Sequence, residues 1–323
     1  MTKIALATGL ALAAAAQAQD PSYWTVDKDV RLFHFFEGTG RNALMIHGGP
    51  GMPAHSAWPG LKPLTASYRF VYYDQRGCGR STRPIDKFTS TNFGENMQAL
   101  TRALGVRAQI ADMEKIRQLL GEDKLILIGH SFGGFLASLY ASEYPDRVKA
   151  LILVAPAEVL VMPASDGGLY ERMKTMLPEA MRPEYGAFLG RYFNYGTIFR
   201  RSEDDLKSLN AEFGKYYRAA AEARGMKMPP EGEIQDQGGW MVHALFLSMG
   251  RQHDYRDALK KVSAPVLVVH GEKDVQPEAA SRLYAETFPN ARLAVVKNAG
   301  HFSFIDQPEE FASVTGKFLS ELK

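Results

Sequence analysis

A serine lies in the chain's strongest chemical signature, the stretch Gly129–Gly133, which is Gly-His-Ser-Phe-Gly. The spacing matches G-x-S-x-G, in which the serine occupies a sharp turn between a strand and a helix. An apolar run, Leu125–Ile128, precedes the motif, and an amphipathic stretch, Phe132–Tyr144, follows it. The pattern therefore predicts Ser131 as a nucleophile toward a carbonyl carbon, the alternative being a chance match in a glycine-rich turn.

A serine hydroxyl needs a base, and the chain carries an aspartate and then a histidine after the serine, in the order this turn requires. Asp274 and His301 each follow a short apolar run. Both would then leave the carboxyl end of a parallel strand, the edge at which active sites of such sheets collect. We predict a catalytic triad of Ser131, Asp274 and His301, with Glu272 and Asp306 as the alternative carboxylates.

A glycine-rich stretch supplies the third chemical element. His47–Gly51 is His-Gly-Gly-Pro-Gly and directly follows another apolar run. Glycines let backbone N–H groups approach a substrate oxygen closely. We predict an oxyanion hole formed by the N–H groups of Gly49 and Phe132, with Gly48 as the alternative to Gly49. His47 itself is expected to bond the loop rather than to titrate during catalysis.

Nothing else in the sequence indicates a metal, a cofactor or a nucleic acid. Gly38–Ala43 fits the spacing G-x-G-x-x-A, but a strand follows it where a dinucleotide site needs a helix. The P-loop pattern, the H-E-x-x-H pattern and paired cysteines are all absent from the sequence. With 38 basic and 36 acidic residues, the net charge of +2 is far from that of a nucleic-acid binder.

Short apolar runs that alternate with amphipathic helices must position these groups. The predicted strands are Tyr23–Asp27 and Val30–Phe36 (a hairpin), Ala43–Ile46, Arg69–Tyr73, Leu125–Ile128, Leu151–Val154, Val266–Val269 and Leu293–Val296. The predicted helices are Phe132–Tyr144, Glu278–Phe288 and Pro308–Leu322. Such alternation is typical of the α/β class, with a mostly parallel central sheet flanked by helices on both faces.

Residues 156–262 interrupt this alternation. They are rich in Met, Tyr, Glu and Arg and have helical periodicity. We interpret them as a helical cap inserted over the carboxyl edge of the sheet. The catalytic domain would then comprise residues 19–155 and 263–323.

Residues 1–18 are typical of a signal peptide. Lys3 gives a positive start, Ile4–Ala16 is apolar, and Ala16–Ala18 offers a cleavage site with small residues. The apolar run is shorter than the ~20 residues that a membrane-spanning helix needs, although a retained anchor helix is the alternative. We expect a periplasmic or extracellular protein without stable membrane association. Cys78 is the only cysteine, so no intrachain disulfide can form.

Two motifs together resemble the proline iminopeptidases (prolyl aminopeptidases) of the α/β-hydrolase superfamily. They are His47–Gly51 and Asp74–Ser81, which is Asp-Gln-Arg-Gly-Cys-Gly-Arg-Ser. The resemblance implies an α/β-hydrolase fold with a cap, no cofactor, and release of N-terminal residues, proline favoured, from small peptides. It also implies cap carboxylates that hold the free α-amine of the substrate. Glu203 and Glu231 are candidates for that role, and Trp240 is a candidate for the apolar part of the pocket.

One departure from the family keeps an alternative open. The bacterial prolyl enzymes usually have Gly-Gly-Ser-Trp-Gly at the serine turn, whereas Gly129–Gly133 resembles esterases and lactonases. We therefore predict an exported serine hydrolase, most similar to a proline iminopeptidase, with a carboxylesterase or lactonase acting on a small ester as the alternative. A non-catalytic ligand-binding protein with a hydrolase fold is the alternative of another class, although it would need neither the triad nor the oxyanion hole.

Overall fold

An eight-stranded sheet forms the centre of the protein, in a computed structural model that describes residues 20–230 and 234–322. Its strand order is β1-β2-β4-β3-β5-β6-β9-β10. Neighbouring strands from β4 to β10 run parallel, and β2 pairs antiparallel with both β1 and β4. The strands are β1 Tyr23–Asp27, β2 Val30–Gly38, β3 Arg41–Ile46, β4 Tyr68–Tyr73, β5 Leu125–His130, β6 Val148–Val154, β7 Val161–Met162, β8 His253–Asp254, β9 Val266–Gly271 and β10 Ala291–Val296.

The predicted α/β fold with a mostly parallel sheet is confirmed, and the predicted strands are found with shifted ends. The strand β5 shows why the sheet is parallel and central. Leu125 and Leu127 pack into the apolar layer on one face, and Ile126 and Ile128 into the layer on the other. A strand buried on both faces must be apolar throughout, which is the pattern in the sequence.

Helices cover both faces of this sheet. The helices of the described residues are α1 Phe93–Leu104, α2 Val106–Leu119, α3 Phe132–Glu143, α4 Gly168–Met176, α5 Arg182–Tyr192, α6 Glu203–Glu222, α7 Trp240–Met249, α8 Arg256–Leu259, α9 Glu278–Thr287, α10 Ser303–Asp306 and α11 Pro308–Ser320, of which α4 to α8 lie in the segment 156–262. Short 3₁₀ turns lie between several of them. Helices α1 and α2 are missing from the sequence prediction, although Asn92 caps α1 by accepting hydrogen bonds from the backbone N–H groups of Gly94 and Glu95.

The segment 156–262 contains helices α4 to α8 and the small antiparallel pair of β7 and β8. Helices α4, α5 and α6 enclose an aromatic core of their own, in which Tyr185, Phe188 and Tyr216 are almost completely buried, whereas α7 and α8 pack into the main core. The helix α6 begins with a capping box between Ser202 and Asp205. This segment therefore has the local structure of the predicted helical cap.

Two predictions fall outside the described residues: the signal peptide at 1–18 and the candidate Glu231. Within residues 20–230 and 234–322, no helix combines the length and the apolar character that crossing a membrane requires.

Candidate active site

Ser131 occupies a strained turn between β5 and α3. Its backbone has φ 52° and ψ −121°, a combination that residues with a side chain rarely adopt. Two neighbours hold the turn: the N–H of Ser131 donates to the carbonyl of Val154 at 2.9 Å, and its carbonyl accepts from the N–H of Ala157 at 3.0 Å. Strain of this kind persists only where surrounding contacts fix the backbone, and it is concentrated at functional sites.

Close packing of the backbone explains the glycines around this serine. A Cβ on Gly133 would overlap the carbonyl oxygens of Ile46 and His47. A Cβ on Gly129 would overlap the carbonyl oxygen of Gly133. A side chain at position 133 would therefore push the start of α3 away from the end of β3, and one at position 129 would push it away from β5.

Asp274 and His301 meet at the carboxyl ends of β9 and β10. The His301 Nδ1 lies 2.9 Å and 3.1 Å from the two carboxylate oxygens of Asp274. The N–H of Gln276 donates to the same carboxylate at 2.9 Å. Both side chains of the pair are buried, and the Asp274 carboxylate fixes the orientation of the histidine ring through Nδ1.

The alternative carboxylates have other partners. Asp306 accepts hydrogen bonds from the N–H groups of Gly300, at 2.7 Å, and Lys227, at 2.8 Å. Glu272 is exposed and accepts from the N–H of Asn298 at 2.9 Å. Of the three carboxylates, the structure places Asp274 on the imidazole of residue 301.

His130 joins the serine turn to the histidine loop. Its Nε2–H donates to the carbonyl of His301 at 3.0 Å, and the centroids of the two rings are 4.7 Å apart. Burial holds the pKa of His130 well below its ordinary value, and the nearby imidazole of His301 lowers it further. A neutral ring at position 130 therefore links the residue before Ser131 to the residue predicted as the base.

The glycine-rich loop packs directly on the serine. A Cβ on Gly48 would lie only 2.8 Å from the Cβ of Ser131. The next residue, Gly49, has a φ of 113°, which favours glycine. Neither the N–H of Gly49 nor that of Phe132 donates a hydrogen bond to any described residue. Both groups thus lack a partner among the described residues, which is what the predicted oxyanion hole requires.

His47 braces this loop. Its Nε2 accepts a hydrogen bond from the backbone N–H of Gln75 at 3.1 Å, and its carbonyl accepts from the Gln75 side-chain amide at 2.8 Å. Burial lowers the pKa of His47 to about 4, so the ring stays neutral at ordinary pH. The Asp74–Ser81 stretch therefore supports the glycine-rich loop through His47.

The cap also contacts the glycine-rich loop. The N–H of Gly238 donates to the carbonyl of Gly51 at 2.8 Å, and a Cβ on Gly51 would lie 2.9 Å from the Cα of Gly238. A second hydrogen bond is formed two residues earlier in the cap: the N–H of Gly79 donates to the carbonyl of Asp236 at 2.8 Å. The cap segment 236–239 is thus bonded to both glycine-rich stretches of the catalytic domain.

Glu203 and Trp240, the two described candidates for substrate binding, form hydrogen bonds at the same cap segment. The Glu203 carboxylate accepts from the N–H groups of Gly239, at 3.1 Å, and Trp240, at 2.6 Å, and it pairs with the Arg83 guanidinium at 2.5 Å. Trp240 is fully buried, and its Nε1–H donates to the carbonyl of Asp86 at 2.8 Å. Three of the roughly four acceptor positions of the Glu203 carboxylate are therefore taken by the protein itself.

Two residues at this site carry no signal in the sequence. Gln276 lies two positions after Asp274, and its side-chain amide nitrogen is 3.3 Å from the Nδ1 of His301. Tyr217, on the cap helix α6, lies with its ring centroid 5.8 Å from that of His301. A glutamine in a loop and a tyrosine on an amphipathic helix belong to no recognisable motif, and only the fold shows that they lie near the histidine.

A buried histidine of the cap should make the protein sensitive to acid. His243 on α7 is 1% exposed, and no described residue hydrogen-bonds either ring nitrogen. Burial, with a contribution from Arg201, lowers its pKa to about 4. The unfolded chain therefore binds a proton that the folded protein does not bind as the pH falls from about 6.5. The free energy of unfolding should drop with pH in this range, by up to about 1.4 kcal/mol per unit.

We expect His243→Phe to remove this loss. Relative to the wild type, the variant should gain about 2 kcal/mol in free energy of unfolding between pH 7 and pH 5, measured by urea denaturation. His55→Gln, at a half-exposed histidine, is the matched control and should show no such gain. If the difference in free energy of unfolding between His243→Phe and the wild type stays constant with pH, His243 is not the source of the acid sensitivity.

Comparison with known proteins places this architecture in a family. A model of the alpha/beta hydrolase fold matches residues 44–308, which include the serine turn, the aspartate and the histidine. The chain belongs to the alpha/beta hydrolase family. This hydrolase is 25% identical over 291 residues to a proline iminopeptidase of Heyndrickxia coagulans, a match that covers 88% of this chain and 92% of that protein.

Solved structures share the fold at lower identity. A thermophilic esterase from Thermogutta terrifontis superposes with a TM-score of 0.59 at 22% identity, covering 91% of this chain and 94% of the esterase. The proline iminopeptidase of Mycobacterium smegmatis gives a TM-score of 0.57 at 21% identity, covering 93% and 98%. The resemblance predicted from the sequence is confirmed: the protein is an α/β hydrolase, similar to proline iminopeptidases at low identity.

Proposed function

We propose that this α/β hydrolase is an exported serine hydrolase that cleaves an amide or ester through an acyl-enzyme on Ser131. The observation that supports it most is the buried Asp274–His301 pair, whose loop is bonded through His130 to the strained serine turn. His301 takes the Ser131 hydroxyl proton as the oxygen attacks the carbonyl carbon. It then gives that proton to the leaving group as the scissile bond breaks. Water activated by His301 releases the acyl group.

The surrounding groups have defined roles in this proposal. Asp274 holds the His301 Nδ1–H, so that Nε2 is left free to accept the serine proton. The N–H groups of Gly49 and Phe132 stabilise the oxyanion that develops on the former carbonyl oxygen. Phe132 is also the first residue of α3, so the positive end of that helix dipole lies at the same place.

Among possible substrates we favour small peptides with a free N-terminus, from which the first residue, proline preferred, is released. Support comes from the relatives named proline iminopeptidase, which match over most of their own length. It also comes from the two glycine-rich motifs, His47–Gly51 and Asp74–Ser81, which contact each other through His47 and Gln75. The peptide would enter between the cap and the serine turn.

A specific observation favours hydrolysis of small esters or lactones as the second candidate. A peptide amine needs a free carboxylate, and the Glu203 carboxylate already binds Arg83 and two backbone N–H groups. An ester needs no such partner. The serine turn, Gly-His-Ser-Phe-Gly, is also of the kind seen in esterases.

We also propose that the protein is exported, on the basis of the signal-peptide pattern at residues 1–18. N-terminal sequencing of the mature protein should then start near Gln19. An N-terminus at Met1 or Thr2 in protein recovered from cells would contradict export by cleavage.

A panel of substrates tests the proposed function. We expect the kcat/KM for a prolyl amide to exceed that for an alanyl amide by at least about tenfold, because a pocket shaped for the ring discriminates against smaller side chains. N-acetyl-prolyl amide, which lacks the free amine, should be a poor substrate, and short-chain p-nitrophenyl esters complete the panel. Ester cleavage without amide cleavage would replace the aminopeptidase with the esterase. Turnover of none of them would favour a binding protein.

A further inference from the structure

The hydroxyl of Tyr217 is a buried polar group without a partner. Its Oη is shielded from solvent, and no described residue forms a hydrogen bond with it. A buried hydroxyl that makes no hydrogen bond is destabilising, so such groups in folded proteins usually have a reason. The reason here lies in the position of the ring.

Tyr217 faces the histidine of the triad. Its ring is inclined at 61° to the His301 ring, with centroids 5.8 Å apart. It also packs against Phe213 of the same helix, at 6.3 Å between centroids, and against the apolar cluster of Ala221, Met226 and Val275. The cap helix α6 therefore brings this tyrosine beside the histidine.

The neighbouring carboxylates do not hydrogen-bond this hydroxyl. Asp274 accepts from His301 and from the N–H of Gln276, and one guanidinium nitrogen of Arg172 contacts both oxygens of Glu158. Burial, together with the negative charges of Asp274 and Glu158, raises the pKa of Tyr217 well above its ordinary value. The hydroxyl therefore keeps its proton and can donate a hydrogen bond, on a ring that lies beside the His301 imidazole.

The leaving group of the proposed reaction also lies beside this imidazole. In a serine hydrolase the histidine delivers its proton to the departing nitrogen or oxygen, so the leaving group must lie against the imidazole. The acyl oxygen lies elsewhere, at the N–H groups of Gly49 and Phe132. A donor beside His301 is therefore close to the part of the substrate that departs.

We propose that Tyr217 is a substrate-binding residue whose hydroxyl donates a hydrogen bond to an acceptor oxygen on the leaving group. The proposal rests on the serine hydrolase chemistry proposed above and specifies its substrates further. Favoured substrates carry a carbonyl just beyond the scissile bond, as a peptide does, or an ester whose alcohol bears an amide. Simple alkyl amides and alkyl esters lack this acceptor.

Tyr217→Phe tests the proposal, because it keeps the ring and removes only the hydroxyl. The kcat/KM should fall about tenfold for prolyl-glycinamide and less than twofold for prolyl-butylamide. A second pair, the glycolamide and ethyl esters of one acid, should show the same contrast. The melting temperature of the substrate-free variant should stay the same or rise, because no protein hydrogen bond is lost.

Tyr216→Phe is the matched control. Tyr216 is the preceding residue, but its ring packs on Tyr185 and Phe188 inside the cap, with centroids 5.0 Å and 5.2 Å away. Removing its hydroxyl should leave the ratio of kcat/KM between the two substrates of each pair unchanged. Equal effects of Tyr217→Phe on both members of each pair, or none on either, would overturn the proposal. If amides are not cleaved at all, the aminopeptidase assignment fails, while the ester pair still decides the role of Tyr217.

Discussion

Ser131→Ala and His301→Ala should each lower kcat by about 10⁴- to 10⁶-fold, and the double variant should be no slower than the slower single variant. The reason is that the serine oxygen and the imidazole act as one unit. Without the base the hydroxyl is a weak nucleophile, and without the hydroxyl the base has no proton to accept. The remaining rate would come from substrate binding and the oxyanion hole.

Steady-state kinetics on whichever substrate of the panel is fastest measures this effect. A fluorophosphonate probe followed by peptide mapping gives an independent readout, since it should modify Ser131 in the folded wild type. Ser138→Ala is the matched control, because Ser138 is a fully buried serine of α3 whose hydroxyl donates to the carbonyl of Gly134. A double variant far slower than either single variant, or a probe that leaves Ser131 unmodified, would refute the joint role.

Asp274→Asn should lower kcat by about 10³- to 10⁴-fold with little change in structure. The carboxylate accepts the Nδ1–H of His301, which leaves the Nε2 lone pair free for the serine proton. An asparagine nitrogen at this position would donate to Nδ1 instead. The ring would then carry its proton on Nε2, where it cannot act as a base toward Ser131.

Asp306→Asn provides the control for this change. Asp306 also lies beside the histidine loop, but it accepts from the backbone N–H groups of Gly300 and Lys227. An amide oxygen can still accept one of these hydrogen bonds, so we expect a loss of less than about tenfold. Near-normal turnover in Asp274→Asn, or a comparable collapse in Asp306→Asn, would transfer the role to another carboxylate.

The positions of chemical groups that are tied to a local sequence pattern could be predicted. The strained turn at Ser131 needs glycines at fixed offsets, and this spacing can be recognised in the sequence. At Gly133, for example, any side chain would overlap the carbonyl oxygens of Ile46 and His47. Asp274 and His301 follow apolar strands, and parallel strands bring their carboxyl ends to one edge. The central sheet was predictable for the same reason, since strands buried on both faces are apolar throughout.

The roles of the cap residues were much harder to predict. Aromatic residues that lie near His301 have the same helical spacing as those in the cap core, so Tyr217 beside the histidine and Tyr216 in the cap core look alike in the sequence. Glu203 shows the converse problem. Its charge indicates exposure or ligand binding, but only the fold reveals that Arg83 and the start of α7 occupy its oxygens.

The backbone hydrogen bond from Gly238 to Gly51 has a consequence for engineering this enzyme. A cap transplanted from a relative would alter the groups around the substrate, but it would also remove this hydrogen bond to the loop that we propose forms part of the oxyanion hole. Because a methyl group on Gly51 would lie 2.9 Å from the Cα of Gly238, the graft has to retain that glycine pair. A chimera without it should lose turnover on every substrate alike, rather than acquire a new preference.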